Sequence, residues 1–192
     1  MKRFDRIEWA FEFLEERTDE SLEVRTEILK YISIGMVACL ESYYRMVIRD
    51  LIDYGSPYNS NAHNLESGRI DLNVVLGLGR EKISIGEFIS HLIPISSFED
   101  INRNLSIIID KDFLSELKNV KNDELNETIE EFAGELFEDV KEIFRYRHIF
   151  CHELATKVKP KLKEQGLLIG AALIFAYTTE LMIEDMIGKK TV

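Results

Sequence analysis

The chain has 192 residues, with 24 Lys and Arg against 35 Asp and Glu, giving a formal net charge of −11. That length suits one domain, or one domain carrying a large insertion. With 45% hydrophobic and 31% charged residues it can bury a core and is not a disordered chain, and its acidity excludes general coating of nucleic acid without excluding a local basic site.

Phe4 to Glu16 carries apolar residues at Phe4, Ile7, Phe11 and Leu14, a helical spacing. A longer helix is predicted from about Asp19 to Tyr54, with a stripe of Ile28, Leu29, Ile32, Met36, Leu40, Tyr43, Val47 and Leu51. Gly55-Ser-Pro-Tyr-Asn-Ser-Asn-Ala ends it with loop chemistry. Residues 55 to 120 are less regular. Ser84 is placed to cap a short helix ending at Leu92, and Pro94 breaks the chain. Two further short helices are predicted, one behind Ser97 over Glu99 to Ile109 and one over Asp112 to Val120. Gly77-Leu-Gly79 lacks the Lys-Ser/Thr and the preceding strand of a phosphate loop. A third long helix is predicted from near Asp123 to about His152, on Leu125, Ile129, Phe132, Leu136, Val140 and Ile143. A basic linker, Thr156 to Lys163, follows, then a final helix from Glu164 to Ile187 that is apolar on most sides up to Tyr177. The expected fold is all-α: an up-and-down helical bundle forming a single domain over 1–192, with a mostly helical insertion at about 55–120.

Cys39 and Cys151 form no C-x-x-C pair and sit in apolar helical contexts, which argues against a disulfide scaffold or a thiolate zinc cluster. The N-terminal stretch is charged throughout and lacks the apolar core of a signal peptide. The longest apolar run, Leu167 to Tyr177, is shorter than the roughly 20 residues of a bilayer span. A soluble cytoplasmic protein with no membrane partner is the expectation.

The candidate chemistry lies in Phe144-Arg-Tyr-Arg-His-Ile-Phe-Cys-His152. Continuing the stripe of the third long helix past Ile143 leads to Arg147, where a leucine would be expected. A guanidinium there must be partnered, face a groove, or pack its stem while its head reaches water. Glu41, in register with Val37, Tyr44 and Ile48, offers a carboxylate on a partly apolar face; its alternative partner is Arg45, four residues on. His148 and His152 share a helix face at a spacing that can hold a metal, but the motif is not His-Glu-x-x-His and no third ligand is evident. No metal site and no cofactor are therefore predicted, with a His-His metal site as a minor rival.

Charge concentrates in the same place. Ile143 to Lys163 holds Arg145, Arg147, Lys157, Lys159, Lys161 and Lys163 against Glu153 alone, a net of +5. Asn122 to Glu142 before it has a net of −8. A basic cluster beside Arg and His is suited to a phosphodiester, although alternate lysines also make an ordinary solvated linker.

Arg147-His-Ile-Phe-Cys-His152 resembles the Arg-x4-His motif, with a polar residue after the Arg, of HEPN domains (higher eukaryotes and prokaryotes nucleotide-binding). Cys-Leu-Glu-Ser-Tyr-Tyr at 39 to 44 is similar to the acidic and aromatic early helix of that family. The resemblance covers roughly residues 20–54 and 123–187. It implies a metal-independent endoribonuclease, often a toxin or antiviral effector, whose site forms where two motifs meet in a homodimer. Arg147 would then hold the scissile phosphate, His152 would act as general acid or base, His148 would assist, and Glu41 would brace Arg147. Arg145 and the lysines at 157, 159, 161 and 163 would contact single-stranded RNA. An antitoxin protein is a further implied partner. Leu154 stands where some members carry a Tyr modified by a nucleotidyltransferase antitoxin, so that form of silencing is not implied. The alternative is a non-catalytic HEPN module that binds a nucleotide or a protein partner.

Overall fold

A computed structural model describes residues 2–17, 21–65, 83–122, 127–131, 133–152 and 157–188. The Gly77–Gly79 segment lies outside them. The described chain is an all-α helical bundle, apart from a hairpin with two residues in each strand. Its contacts divide it into two units. One comprises Met1–Leu40 with Leu117–Val192, and the other Glu41–Glu116.

The first unit contains α1 (Lys2–Glu16), the first part of α2 (Leu22–Tyr54), α7 (Ala133–His152) and α8 (Leu162–Gly188). Particular contacts fix their directions. A Cβ on Gly35 of α2 would stand 2.8 Å from Ile7 Cδ1, and the charge of Arg3 acts on Cys39, so α1 and α2 run antiparallel. Gly166 of α8 is where the Phe11 ring closes in; a Cβ there would lie 2.9 Å from it. The Ser33 hydroxyl bonds the Gln165 amide oxygen, and Lys159 shares a groove with Thr26 and Lys30 one to two turns earlier, so α8 runs parallel to α2. Tyr146 meets Glu164 and Phe137 meets Phe175, so α7 and α8 form an antiparallel pair. Successive helices of this unit thus alternate in direction, as the expected up-and-down bundle requires.

Its core follows the predicted stripes of α2 and α7, except that Ile28 is exposed, and is completed by the last helix. Leu29, Ile32, Met36 and Leu40 of α2 are buried, as are Leu136, Val140 and Ile143 of α7 and Leu168, Ala172 and Phe175 of α8. The Phe137 and Phe175 rings meet edge to face at 6.2 Å. By length and composition α8 is apolar enough to cross a membrane, over a longer window than the run 167–177 suggested. Half of that window, at mean hydropathy 1.8, is buried inside the chain.

The second unit holds the rest of α2, a short α3 (Tyr58–Asn61) with a 3-10 turn at Ala62–Asn64, α4 (Ile85–Leu92), α5 (Phe98–Ile109) and α6 (Phe113–Lys118), which straddles its boundary. The stretch after Gly55, expected to be loop, therefore makes short helical turns. Gly55 ends α2 at φ 109°, where a side chain would be strained. Ser84 and Ser97 cap their helices as expected, accepting from the backbone N–H groups of Glu87 and Asp100 at 3.0 Å.

One boundary is corrected. Helix was expected from about Asp123, but Lys121–Asn122 (β1) and Glu127–Thr128 (β2) pair as a hairpin, Ile129–Glu131 makes a 3-10 turn, and α7 begins at Ala133. Asn122, Asp123 and Asn126 give the chain turn chemistry that outweighs the helical spacing of Leu125 and Ile129. At the far end, Lys163 belongs to α8, and the basic linker is shorter than expected.

Candidate functional site

On α7 the buried face is formed by Leu136, Phe137, Val140, Ile143, Phe144 and Phe150. At about 100° per residue, Arg147 falls at the centre of that face. It is half-buried, whereas Cys151, one turn further on, is exposed. Beyond Arg147 the face is covered at Phe150 and exposed at Cys151. This setting suits a guanidinium, whose apolar stem packs while its fork meets a polar ligand. The helix C-terminus also favours positive charge there.

His148 is exposed on the flank of this face. His152 is the last residue of α7, five positions beyond Arg147 and about 140° round the helix from it.

Arg145 has a different setting. It is exposed and gives two hydrogen bonds to the Glu142 carboxylate, one of them from Nε at 2.7 Å, and its guanidinium lies 5.3 Å from the Tyr146 ring centre. The Glu142 hydrogen bond raises its already high pKa. Much of its charge is thus answered within the helix, although it was expected to serve RNA. Lys157, Lys159, Lys161 and Lys163 are all exposed. Glu41 is half-buried on α2 and belongs to the second unit. Arg45, its alternative partner, bonds the backbone carbonyls of Ser90 and Ile93.

Two features were missed by sequence reasoning. The buried Tyr146 hydroxyl donates to Glu164 Oε1 at 2.7 Å, and its ring stacks on Phe150 at 5.3 Å. This bond ties the end of α7 to the first turn of α8 and so closes the loop that carries Lys157, Lys159 and Lys161. Burial, with the Glu164 hydrogen bond second, pushes the Tyr146 phenol up to about 12. The second feature is a polar seam on α2. Thr26, Lys30 and Ser33 are all buried and follow one another at helical spacing, facing the start of α8. The i, i+4, i+7 pattern of polar residues was visible in the sequence; their burial was not.

Among the described residues no three His, Cys, Asp or Glu gather in a way that could hold a metal ion. His63 and His91 are exposed in the second unit. Comparison with protein-family models, curated proteins and solved structures returns no match to this chain.

Proposed function

We propose that the chain is a metal-independent endoribonuclease of HEPN type, cytoplasmic, and a toxin or antiviral effector. One observation carries the reading: Arg147 sits half-buried at the centre of the apolar face of α7, one turn before a helix end that also carries His148 and His152. Its planar fork suits the oxygens of a phosphate in both geometry and charge. The exposed lysines that follow supply the field that would bring a phosphodiester to it.

In this mechanism Arg147 grips two non-bridging phosphate oxygens and stabilises the charge that grows on the phosphorane. His152 takes the proton of the ribose 2′-hydroxyl, or gives one to the departing 5′-oxygen, as an imidazole can serve in either direction. The 2′-oxygen attacks phosphorus as the P–O5′ bond breaks, leaving a 2′,3′-cyclic phosphate and a 5′-hydroxyl. One chain brings one Arg147 and one His152, so two copies meeting across a two-fold cleft would supply both an acid and a base. His148 orients the strand or assists proton transfer.

Purified protein is expected to cleave single-stranded RNA in EDTA. Arg147→Ala and His152→Ala should each abolish cleavage and leave the melting temperature in place. Wild-type cleavage that survives both substitutions would overturn the assignment. A folded protein that binds RNA without cutting it would instead be the non-catalytic module. Sedimentation should show a dimer at micromolar concentration, and a stable monomer would count against the composite site.

A further inference from the structure

Thr26, Lys30 and Ser33 make a polar seam on a buried helix face: the Thr26 and Ser33 hydroxyls donate to the Leu22 and Leu29 carbonyls of their own helix, which leaves the Lys30 ammonium as the charged group of the seam. At its inner end Gln165 is fully buried; its oxygen takes the Ser33 bond, while its Nε2 has no partner among the described residues. At its outer end the seam opens into a groove of about 620 Å³. Lys30 and Lys159 bring amines to this groove from separate segments, Ser21 and Thr26 bring hydroxyls, and Leu22 forms an apolar wall. Glu23 and Glu27 bring carboxylates. Lys30, only 4% exposed, is paired with Glu27 Oε1 at 2.6 Å. The Glu27 side chain is itself 57% exposed and can turn to water when another anion takes its place on the ammonium.

The groove lies at the same end of the first unit as the Arg147 motif. Gln165 meets Ser33 near the start of α8, and Glu164 beside it meets Tyr146 near the end of α7. The start of α2, the segment before α8 and the last turns of α7 therefore come together at one end of the bundle. Ser21 also caps the first turn of α2, accepting from Val24 N–H at 3.3 Å, so the positive end of that helix faces the same region.

We propose that this groove is a subsite for one phosphate of the RNA strand, flanking the scissile phosphate, with Lys159 as the rim contact and Lys30 as the floor. Glu23 confines it to a single phosphate by repelling a second. The proposal rests on the ribonuclease reading for its choice of ligand. Lys30 and Lys159 thus position the strand, and Arg147 acts on the reacting atoms.

The test uses a fluorescein-labelled single-stranded oligoribonucleotide in EDTA, with Arg147→Ala protein for binding and otherwise native protein for cleavage. Lys159→Glu should weaken binding by about tenfold and flatten its salt dependence by about 0.7 of log–log slope. In cleavage it should raise KM and leave kcat in place. Lys30→Met should act in the same direction; because Lys30 is buried, its melting temperature is recorded alongside, and Lys159→Glu decides the matter if Lys30→Met fails to fold. Lys111→Glu, in the second unit, should change neither. The bound strand should also protect Lys159 from acetylation, whereas inorganic phosphate alone should protect it only at far higher concentration. Unchanged binding in Lys159→Glu would overturn the subsite, as would the absence of any strand binding by the parent. The two readings fail separately. Loss of binding in Lys159→Glu with no cleavage by the native protein would keep the subsite and reject the ribonuclease; cleavage indifferent to both lysines would do the reverse.

Discussion

Tyr146 lies between the two arginines of α7, yet its hydroxyl serves packing more directly than chemistry. Its hydrogen bond to Glu164 and its stacking on Phe150 hold the last turns of α7 against α8. Its phenol is pushed from 10.0 up to about 12, first by burial and then by Glu164. Below pH 10 the phenol is protonated in folded and unfolded chains alike, and the bond is intact. As pH rises from 10 toward about 12 the unfolded chain ionises first, so the stability contributed by this tyrosine is lost across that window. In urea titrations the parent midpoint should fall over this range, and Tyr146→Phe should remove that part of the fall. Tyrosinate absorbance of the folded parent should show one late-ionising phenol that the variant lacks. An unchanged alkaline profile in Tyr146→Phe would assign the loss elsewhere.

At the scale of elements, α4 shows how a short helix is held. The Gly86 N–H, in its first turn, donates to Asp53 Oδ1 at 2.9 Å. At its other end the Ser90 and Ile93 carbonyls accept from Arg45. Asp53 and Arg45 are two turns apart on α2, so α2 presents a negative charge to the positive end of α4 and a positive charge to its negative end. The arrangement requires α4 to run antiparallel to α2 and complements its dipole at both ends. Asp53→Ala and Arg45→Ala are each expected to cost about 1–2 kcal/mol in urea denaturation. Gly86→Ala should cost at least as much, because its Cβ would stand 2.4 Å from the Arg49 carbonyl oxygen, a backbone atom that cannot swing aside. A Gly86→Ala chain as stable as the parent would show that α4 is not seated against α2 as described.

What could be read in advance followed the range of the interactions. The caps at Ser84 and Ser97 depend on residues three positions away, and both stand where the sequence placed them. The position of Arg147 in the apolar face was legible because one helical period carries from Ile143 to it. The start of α7 was not, since Leu125, Ile129 and Leu136 keep a helical spacing where Lys121–Asn122 and Glu127–Thr128 pair as strands. The Tyr146–Glu164 bond and the Lys30 groove were also out of reach. Each joins residues brought together only by the antiparallel or parallel seating of whole helices. Arg145 carries a different lesson: its partner Glu142 lies three residues back, so a count of net charge overstated what it offers a ligand.

For the whole molecule, the net charge of −11 sets how the proposed RNA strand could be bound. The acidic body is real in structure as well as in composition. On α7, burial together with Glu135 and Glu142 raises the Asp139 carboxyl, a sign of crowded negative charge just before the basic end. On the proposed function, a strand laid along that face would be repelled, and contact would be confined to the end that carries Arg147 and the exposed lysines. Setting aside Arg145, which is exposed but paired with Glu142, the exposed cations that follow the motif are Lys157, Lys159, Lys161 and Lys163. Each phosphate neutralised on a single strand contributes about −0.7 to the slope of log affinity against log salt, so four contacts give a slope of about −3 per chain. Anisotropy of a labelled oligoribonucleotide over a salt series, with Arg147→Ala protein so that no strand is cut, measures this directly. A slope near that value fits a confined basic end. A slope more than twice as steep would require phosphate contacts over the acidic body as well, and the charge distribution then could not be what restricts RNA to one end.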